Sequence, residues 1–423
     1  MSEDQIVERT PRGPGARQWT EGLLIAMVLC SFFSIALMQI LLGLAFLNFL
    51  VGIRRAARGN ETVDSPPVRF PLLWPMAAFM AISLFSALLV GEGHAVKEAL
   101  SGGMPLVAFW IALNAFRGRS SLRRATYAVC LGGFLAAGYG MLEGFFAPEG
   151  VRIAGSLSHY YTFSGVVMVS AMMLAAGLVF GAGARERTLM AAGLVPILTA
   201  LLLTQTRAAL LAVAVGGAVL LVLGRPKALP VLPVLAVLMY LLAPTDVQAR
   251  IRSSVDPQDE TTNERLHMWA AGREMIESAP VLGIGPDMPH QRFREFSVDD
   301  GHFSKLPSPG HLHNNVIHLT AERGVLGLLA WLAFWLLWFY KSARIYFRIE
   351  RQDSIARVAV AGSLAAMVGF QVMGVFEYNM GDSEVATLAL AVMALPFAAE
   401  SMLEASSDQE GGISLERAPS RVS

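Results

Sequence analysis

The chain has 423 residues, 54% hydrophobic and 16% charged, and its 33 basic residues balance its 33 acidic ones. A mean hydropathy of +0.51, carried by long continuous apolar blocks, excludes a water-soluble domain and points to a polytopic helical membrane protein. The blocks do not alternate, which excludes a β-barrel, and Cys30 and Cys130, both within apolar blocks, exclude a disulfide scaffold or a cysteine metal site.

In chain order, Arg9, Arg12 and Arg17 precede the first apolar block. No small-residue cleavage site follows them, so an uncleaved first span is expected. The spans are predicted at 20–36, 37–53, 72–90, 97–116, 125–146, 160–181, 189–204, 207–223, 228–243, 315–340, 358–376 and 384–400. The fold class is thus all-α, with about twelve transmembrane helices. The first two blocks run together, but one straight helix over 20–53 would be about 51 Å long against a hydrocarbon core of roughly 30 Å. A tight hairpin near Ser31 to Ser34 resolves this.

Charge bias tests the count, because Lys and Arg in short loops face the cytoplasm. With both termini inside, the short inner loops hold Arg54, Arg55, Arg58, Arg69, Arg117, Arg119, Arg123, Arg124, Arg185, Arg187, Arg225, Lys227, Lys341, Arg344, Arg348, Arg351 and Arg357. The short outer loops and span ends hold only Lys97, Arg152 and Arg207. Reading 20–53 as one span would invert every later loop. The chain then divides into nine spans (1–243), a large outer loop (244–314), three spans (315–400) and a polar cytoplasmic tail (401–423) expected to be disordered. The outer loop is too long for a passive tether. It contains an acidic stretch, DPQDE (256–260), and a predicted helix at TTNERLHMWAAGREMIESAP (261–280). Thr261 and Glu264 form a capping box, and Arg265, Met268, Trp269, Gly272 and Ile276 share a face.

Two constellations carry chemistry. In TQTRAALLA (204–212), Arg207 stands at the outer boundary between two short spans. It either snorkels to the headgroups or grips a phosphate bidentately, a use that Thr204, Gln205 and Thr206 around it favour. In HLHNNVIHLTAERGVLG (311–327), His311, His313 and His318 stand at the outer start of a span. Their spacings of two and five suit a helical metal site poorly. One of them suits a proton acceptor near neutral pH; the alternative is an interfacial histidine making a structural hydrogen bond. Asp256, Asp259, Glu260, Asp299 and Asp300, the last two near His302, could build a cation site but more often such clusters are simply solvated. Glu143 and Glu377 near outer span ends pair with arginines, shape a cavity or act in catalysis.

LLLTQTRAALLA (201–212), RLHMWAAGREMIESAPVLGIGP (265–286), HLHNNVIHLTAERGVLGLLAW (311–331) and FEYNMGD (376–382) resemble, in order and topological position, the O-antigen ligase family of membrane glycosyltransferases, over about residues 150–400. The resemblance implies a GT-C-like fold in the Gram-negative inner membrane, with a periplasmic active site. It implies transfer of a glycan from an undecaprenyl diphosphate donor to the lipid A core, without cofactor, metal or nucleic-acid partner. By the same resemblance the essential histidine falls on His313 and the two arginines on Arg207 and Arg265; beside them His311, Asn314 and Arg323 are expected to support the substrate site. His313 would act as general base in an inverting displacement while the arginines meet the diphosphate. A glycan polymerase or a protein O-oligosaccharyltransferase would share these motifs. A flippase for the lipid-linked glycan is disfavoured, because the spans are nearly uncharged and the functional groups collect on one face.

Overall fold

The structure, a computed structural model, describes residues 15–58, 68–148, 150–253, 260–296 and 310–404. Among them every regular element is helical. The first half comprises α1 (Ala16–Cys30), α2 (Ile35–Ala57), α3 (Leu73–Val90), α4 (Gly93–Ser101), α5 (Met104–Ala115), α6 (Arg119–Phe146), α7 (Tyr160–Phe180), α8 (Ala184–Leu203), α9 (Arg207–Gly224) and α10 (Val231–Leu242). Four short or medium helices follow, α11 (Thr245–Arg252), α12 (Glu260–Ser278), α13 (Met288–Gln291) and α14 (Phe293–Phe296), and then α15 (Asn315–Arg348), α16 (Ser354–Met373) and α17 (Ser383–Val392).

Each of the twelve apolar blocks is mainly helical, with turns at 31–34, 102–103, 229–230 and 393–394, and ten helical segments among the described residues are long and apolar enough to cross a membrane. Helix α1, with 15 residues, and the apolar stretch Pro226–Leu242 are shorter. The chain breaks after Cys30, and Ser34 in extended conformation accepts a hydrogen bond from Leu37 N to start α2, which makes the hairpin expected there. Both cysteines are free.

The core is α7 wrapped by α16, α9, α8 and α6. Helix α16 carries Ala356, Ala359, Ala361, Gly362, Ala365, Ala366 and Gly369 among its buried positions, small side chains that let backbones approach closely where lipid offers no hydrophobic drive for helix association. Aromatic rings of α15 close the other side: Trp335 stacks on Phe370 at 5.6 Å, and Trp338 Nε1 donates to Met393 O.

The bundle has two chemically different ends. At one, Arg69 and Arg348 pair with Glu400, Arg119 with Asp353, and Arg124 with Glu21. At the other, the α8–α9 turn, the residues before α7, the start of α15 and the α16–α17 connection converge. There α12 to α14 build a second small core, with Ala271, Met275, Ile284, Met288 and Phe293 packed on Ala95, Ala99, Leu312 and Ala321.

Candidate active site

The arginine side begins at the α8–α9 turn. Thr204 closes α8, and Gln205 takes a left-handed φ of 53°, so α9 restarts with Arg207 as its first residue. Arg152 holds this turn: its Nε donates to Thr204 O at 2.8 Å and its Nη2 to Gln205 O and Thr206 Oγ1. Its guanidinium also lies over the Tyr160 ring at 3.3 Å. Arg152 therefore positions the turn, while Arg207 stands at a helix N-terminus, where the helix dipole adds to its attraction for an anion. Arg207 Nη2 donates to Thr261 Oγ1 at 3.1 Å; α12 opens at Glu260, one residue before the expected start, so Thr261 sits in its first turn. One turn further along α12, Arg265 Nη2 donates to the Tyr161 hydroxyl at 2.8 Å.

The histidine side is organised by a carboxylate from another element. Glu377, 4% exposed, accepts from His313 Nδ1 at 3.0 Å and faces His311 Nε2 at 3.3 Å. His311 Nδ1 accepts from the His313 backbone N–H, so His311 carries its proton on Nε2. Burial holds its pKa at about 4 despite Glu377, so it is neutral near pH 7. Burial alone would raise the Glu377 pKa, but the His313 hydrogen bond and the two histidines hold it below the usual range, and it stays ionised. With Nδ1–H directed at Glu377, His313 keeps Nε2 as an acceptor, the state a general base requires. The Tyr161 ring, bonded through its hydroxyl to Arg265, lies 6.1 Å from the His313 ring and so links the two sides.

Two asparagines hold the histidines in place. Asn314 caps α15, accepting from Ile317 N and donating to Val375 O. Asn315 N donates to Gly374 O, and its amide bonds Asn379 Oδ1. The HNN run is thus stitched to the segment that carries Glu377.

Beneath lies the reason for ERG (322–324). Helix α15 breaks at Gly324, with φ 64° and ψ −172°, a conformation essentially confined to glycine. The break frees carbonyls that the 280–285 segment uses: Ile284 N donates to Ala321 O and Gly285 N to Glu322 O, while Val325 N donates to Pro280 O. A Cβ on Gly324 would stand 2.1 Å from Val281 O, and one on Gly283 would stand 2.3 Å from the Glu322 carbonyl carbon. Glu322, itself buried, pairs with Arg323 and His318 and accepts from Asp287 N at 2.6 Å. Arg323 Nε donates to Ser83 Oγ.

These groups surround two adjoining cavities. The first, about 660 Å³, is lined by His159, Tyr161, Arg250, Glu264, Arg265, His311, His313, Glu377, Tyr378 and Asp382, among others. The second, about 500 Å³, is lined by Arg152, Gln205, Arg207, Arg250 and Arg265 and by the apolar Leu211, Leu266, Trp269 and Phe376. Among the described residues, the three non-glycine residues with positive φ are Gln205, Asp287 and His313, and each lines one of these cavities. Each such backbone costs of order 1–3 kcal/mol and persists where surroundings over-determine it.

Of the expected site residues, the structure brings His311 and His313 to the first cavity, Arg207 to the second and Arg265 to both. Asn314 and Arg323 line neither and act through the cap and the Glu322 pair. Glu143 accepts from Ala154 N and Gly155 N and shapes the segment that carries Arg152. Asp256, Asp259, Asp299, Asp300 and His302 lie outside the described residues, as does the Glu260 side chain. His311, His313 and Glu377 each offer a donor atom within 4.8 Å of the others, the one group of this kind among the described residues. Helical spacing missed it because the carboxylate comes from a different connection.

Residues 192–332 match the family model described as O-Antigen ligase. That match covers about a third of the chain and is what this segment is similar to. A Rickettsia conorii protein provisionally named a polysaccharide ligase is 25% identical over 141 residues, covering 31% of this chain and 32% of the relative. The chain thus spans about a third of the length of the curated relative it matches. The family segment contains Arg207, Arg265, His311 and His313. Glu377, Arg152 and Tyr161 fall outside it, and the fold brings their side chains to it.

Proposed function

We propose that the protein transfers a glycan from an undecaprenyl diphosphate donor to a sugar hydroxyl of the lipid A core, at the periplasmic face of a Gram-negative inner membrane. The observation that carries this reading is the juxtaposition of the Glu377-held His313 with the arginine-lined cavity across the Tyr161–Arg265 contact. The arginine-rich cavity has an apolar wall, which suits a ligand that is diphosphate at one end and isoprenoid at the other. The polar cavity beside it suits a glycan. Charge supports that side: the cavities lie at the end opposite Arg69, Arg119, Arg124 and Arg348, and basic residues in short loops favour the cytoplasmic side.

In the step proposed, the acceptor hydroxyl loses its proton to His313 Nε2 as its oxygen attacks the anomeric carbon. The bond from that carbon to the diphosphate oxygen breaks, and the diphosphate leaves with the electron pair. Attack from the opposite face inverts the anomeric configuration. Charge that develops on the leaving group meets Arg207 and Arg265, already fixed by Thr261 and Tyr161, so little reorganisation is needed. The imidazolium formed on His313 is stabilised by Glu377. Both Glu377 oxygens are engaged by histidine nitrogens, which supports a proton-transfer role for the trio over metal binding; full activity in a chelator is the expected result, and loss restored by a divalent cation would refute it.

The test is purified protein given undecaprenyl-diphosphate glycan with lipid A core, free glycan chain or peptide as acceptor. Transfer to lipid A core is expected. Transfer to glycan alone would make it a polymerase, to peptide a protein glycosyltransferase, and to none would leave a carrier. His313→Ala should cost about 10² to 10⁴-fold in transfer rate while the protein still inserts and folds.

A further inference from the structure

The two cavities share three lining side chains, Tyr161, Arg250 and Arg265. Tyr161 and Arg265 hold each other through their hydrogen bond. Arg250, on α11, is different: its Nε is buried without a hydrogen-bond partner among the described residues. We propose that Arg250 is a further phosphate-binding residue, placed at the throat between the cavities to take the diphosphate oxygen nearest the scissile bond. This rests on the reading of the site as one for a lipid-linked diphosphate glycan.

Charge supports it. The second cavity's described lining holds Arg152, Arg207, Arg250 and Arg265 and no acidic residue, so the cavity is complementary to a ligand with more than one negative charge. Within it the guanidiniums divide the work. Arg152 makes three hydrogen bonds to the 204–206 turn and lies on Tyr160, so it holds protein rather than ligand. Arg207 faces this cavity alone, beside Ala208 and Leu211, at the lipid end. Arg250 and Arg265 reach the wall that also borders the cavity of His311, His313 and Glu377.

Geometry then orders the ligand. An isoprenoid lies along the apolar wall, one phosphate meets Arg207, the other meets Arg265 and Arg250 at the throat, and the sugar enters the polar cavity toward His313. Arg250 would therefore serve both donor affinity and departure of the diphosphate, because the oxygen it meets gains charge as the glycosidic bond breaks. A buried N–H that finds no acceptor among the described residues is satisfied when the phosphate arrives.

The experiment measures binding of undecaprenyl diphosphate to the purified full chain in detergent, with inorganic pyrophosphate and undecaprenol as competitors, for wild type, Arg250→Ala, Arg250→Lys and His313→Ala. Glycan transfer is measured in parallel, and a melting curve on each variant reports folding. Arg250→Ala should weaken undecaprenyl diphosphate binding roughly tenfold or more and lower transfer further, and Arg250→Lys should recover part of both. Pyrophosphate should compete with wild type, and His313→Ala should bind normally while failing to transfer. If folded Arg250→Ala binds and transfers like wild type, the role of Arg250 is refuted while the site's function stands. Competition by undecaprenol equal to that by pyrophosphate would also refute it, since recognition would then be of the tail. Should wild type neither bind the lipid diphosphate nor transfer glycan, the underlying reading falls, and this proposal with it.

Discussion

Replacing Glu377 by glutamine tests the His313 arrangement with almost no change in volume. The carboxylate presents two acceptor oxygens to two histidine nitrogens, at 3.0 and 3.3 Å. An amide presents one acceptor and one donor, so one histidine loses its partner or must exchange tautomer. The charge is lost as well. With charge centres about 4 Å apart and an effective dielectric of about 20, the attraction between a protonated His313 and the carboxylate is worth about 4 kcal/mol. The amide oxygen still accepts one hydrogen bond, so about 2–4 kcal/mol of transition-state stabilisation is lost, or roughly 30- to 1,000-fold in kcat. The assay is steady-state transfer from a lipid-linked glycan at fixed saturating donor, read across pH. Glu377→Gln should lower kcat with little change in donor KM. A folded variant with wild-type kcat would refute this account of the histidine side.

Other outcomes follow from the same geometry. Lysine at Arg207 or Arg265 should retain donor use but weaken it about tenfold, since an ammonium cannot form the planar fork, whereas alanine should weaken it further; donor KM separates them. Gly324→Ala should destabilise the fold by at least about 3 kcal/mol, because φ there is positive and the new Cβ would overlap Val281 O; a lower melting temperature in detergent checks it. Burial pushes the Asp382 carboxyl up to about 7 from an ordinary 3.8, with the Thr162 hydroxyl opposing and Glu384 adding to the rise. Its folded pKa lies above its unfolded one, so its contribution to stability is complete below about pH 4 and is lost as pH rises through 7. Melting temperature should fall across that window in wild type and flatten in Asp382→Asn.

Much of the scaffold was legible because hydropathy blocks and loop charges are local properties. The hairpin after Cys30 follows from length alone, and the break before Arg207 from the polar TQT run. The site was legible only where a motif carries it. His313 and Glu377 are separated by 64 positions, and nothing in the periodicity of either segment announces that the FEYNMGD carboxylate turns to meet the HLH histidines. The glycines of VLGIGP read as a turn, and nothing in the sequence marks the glycine of ERG. Their meaning, one backbone laid against another with no room for a Cβ, exists only after folding. Asn314 looked like a polar residue near chemistry, yet its amide is consumed by the cap and Val375. Arg250 gave no signal, since a basic residue in a polar loop helix looks solvated until a cavity wall is found around it.

Helix α12 is anchored unequally. Ala271, Ala279 and Met275 of its carboxyl half and the adjoining turn pack into the small outer core, and Gly272 lies against Ile317 and Leu312. From Thr261 to Ala270 no position is buried, though Thr261, Glu264 and Arg265 overhang the first cavity. Such a helix behaves as a cantilever, fixed at one end and held at the other by Met268 at the edge of that core and by polar tethers to α9 and α7. Occupancy by an anion would exchange those tethers for stronger ones, so the free end should stiffen on loading while the rooted end keeps its rigidity. Amide hydrogen exchange along the helix would register that gradient residue by residue, and uniform protection would show that the beam is clamped throughout.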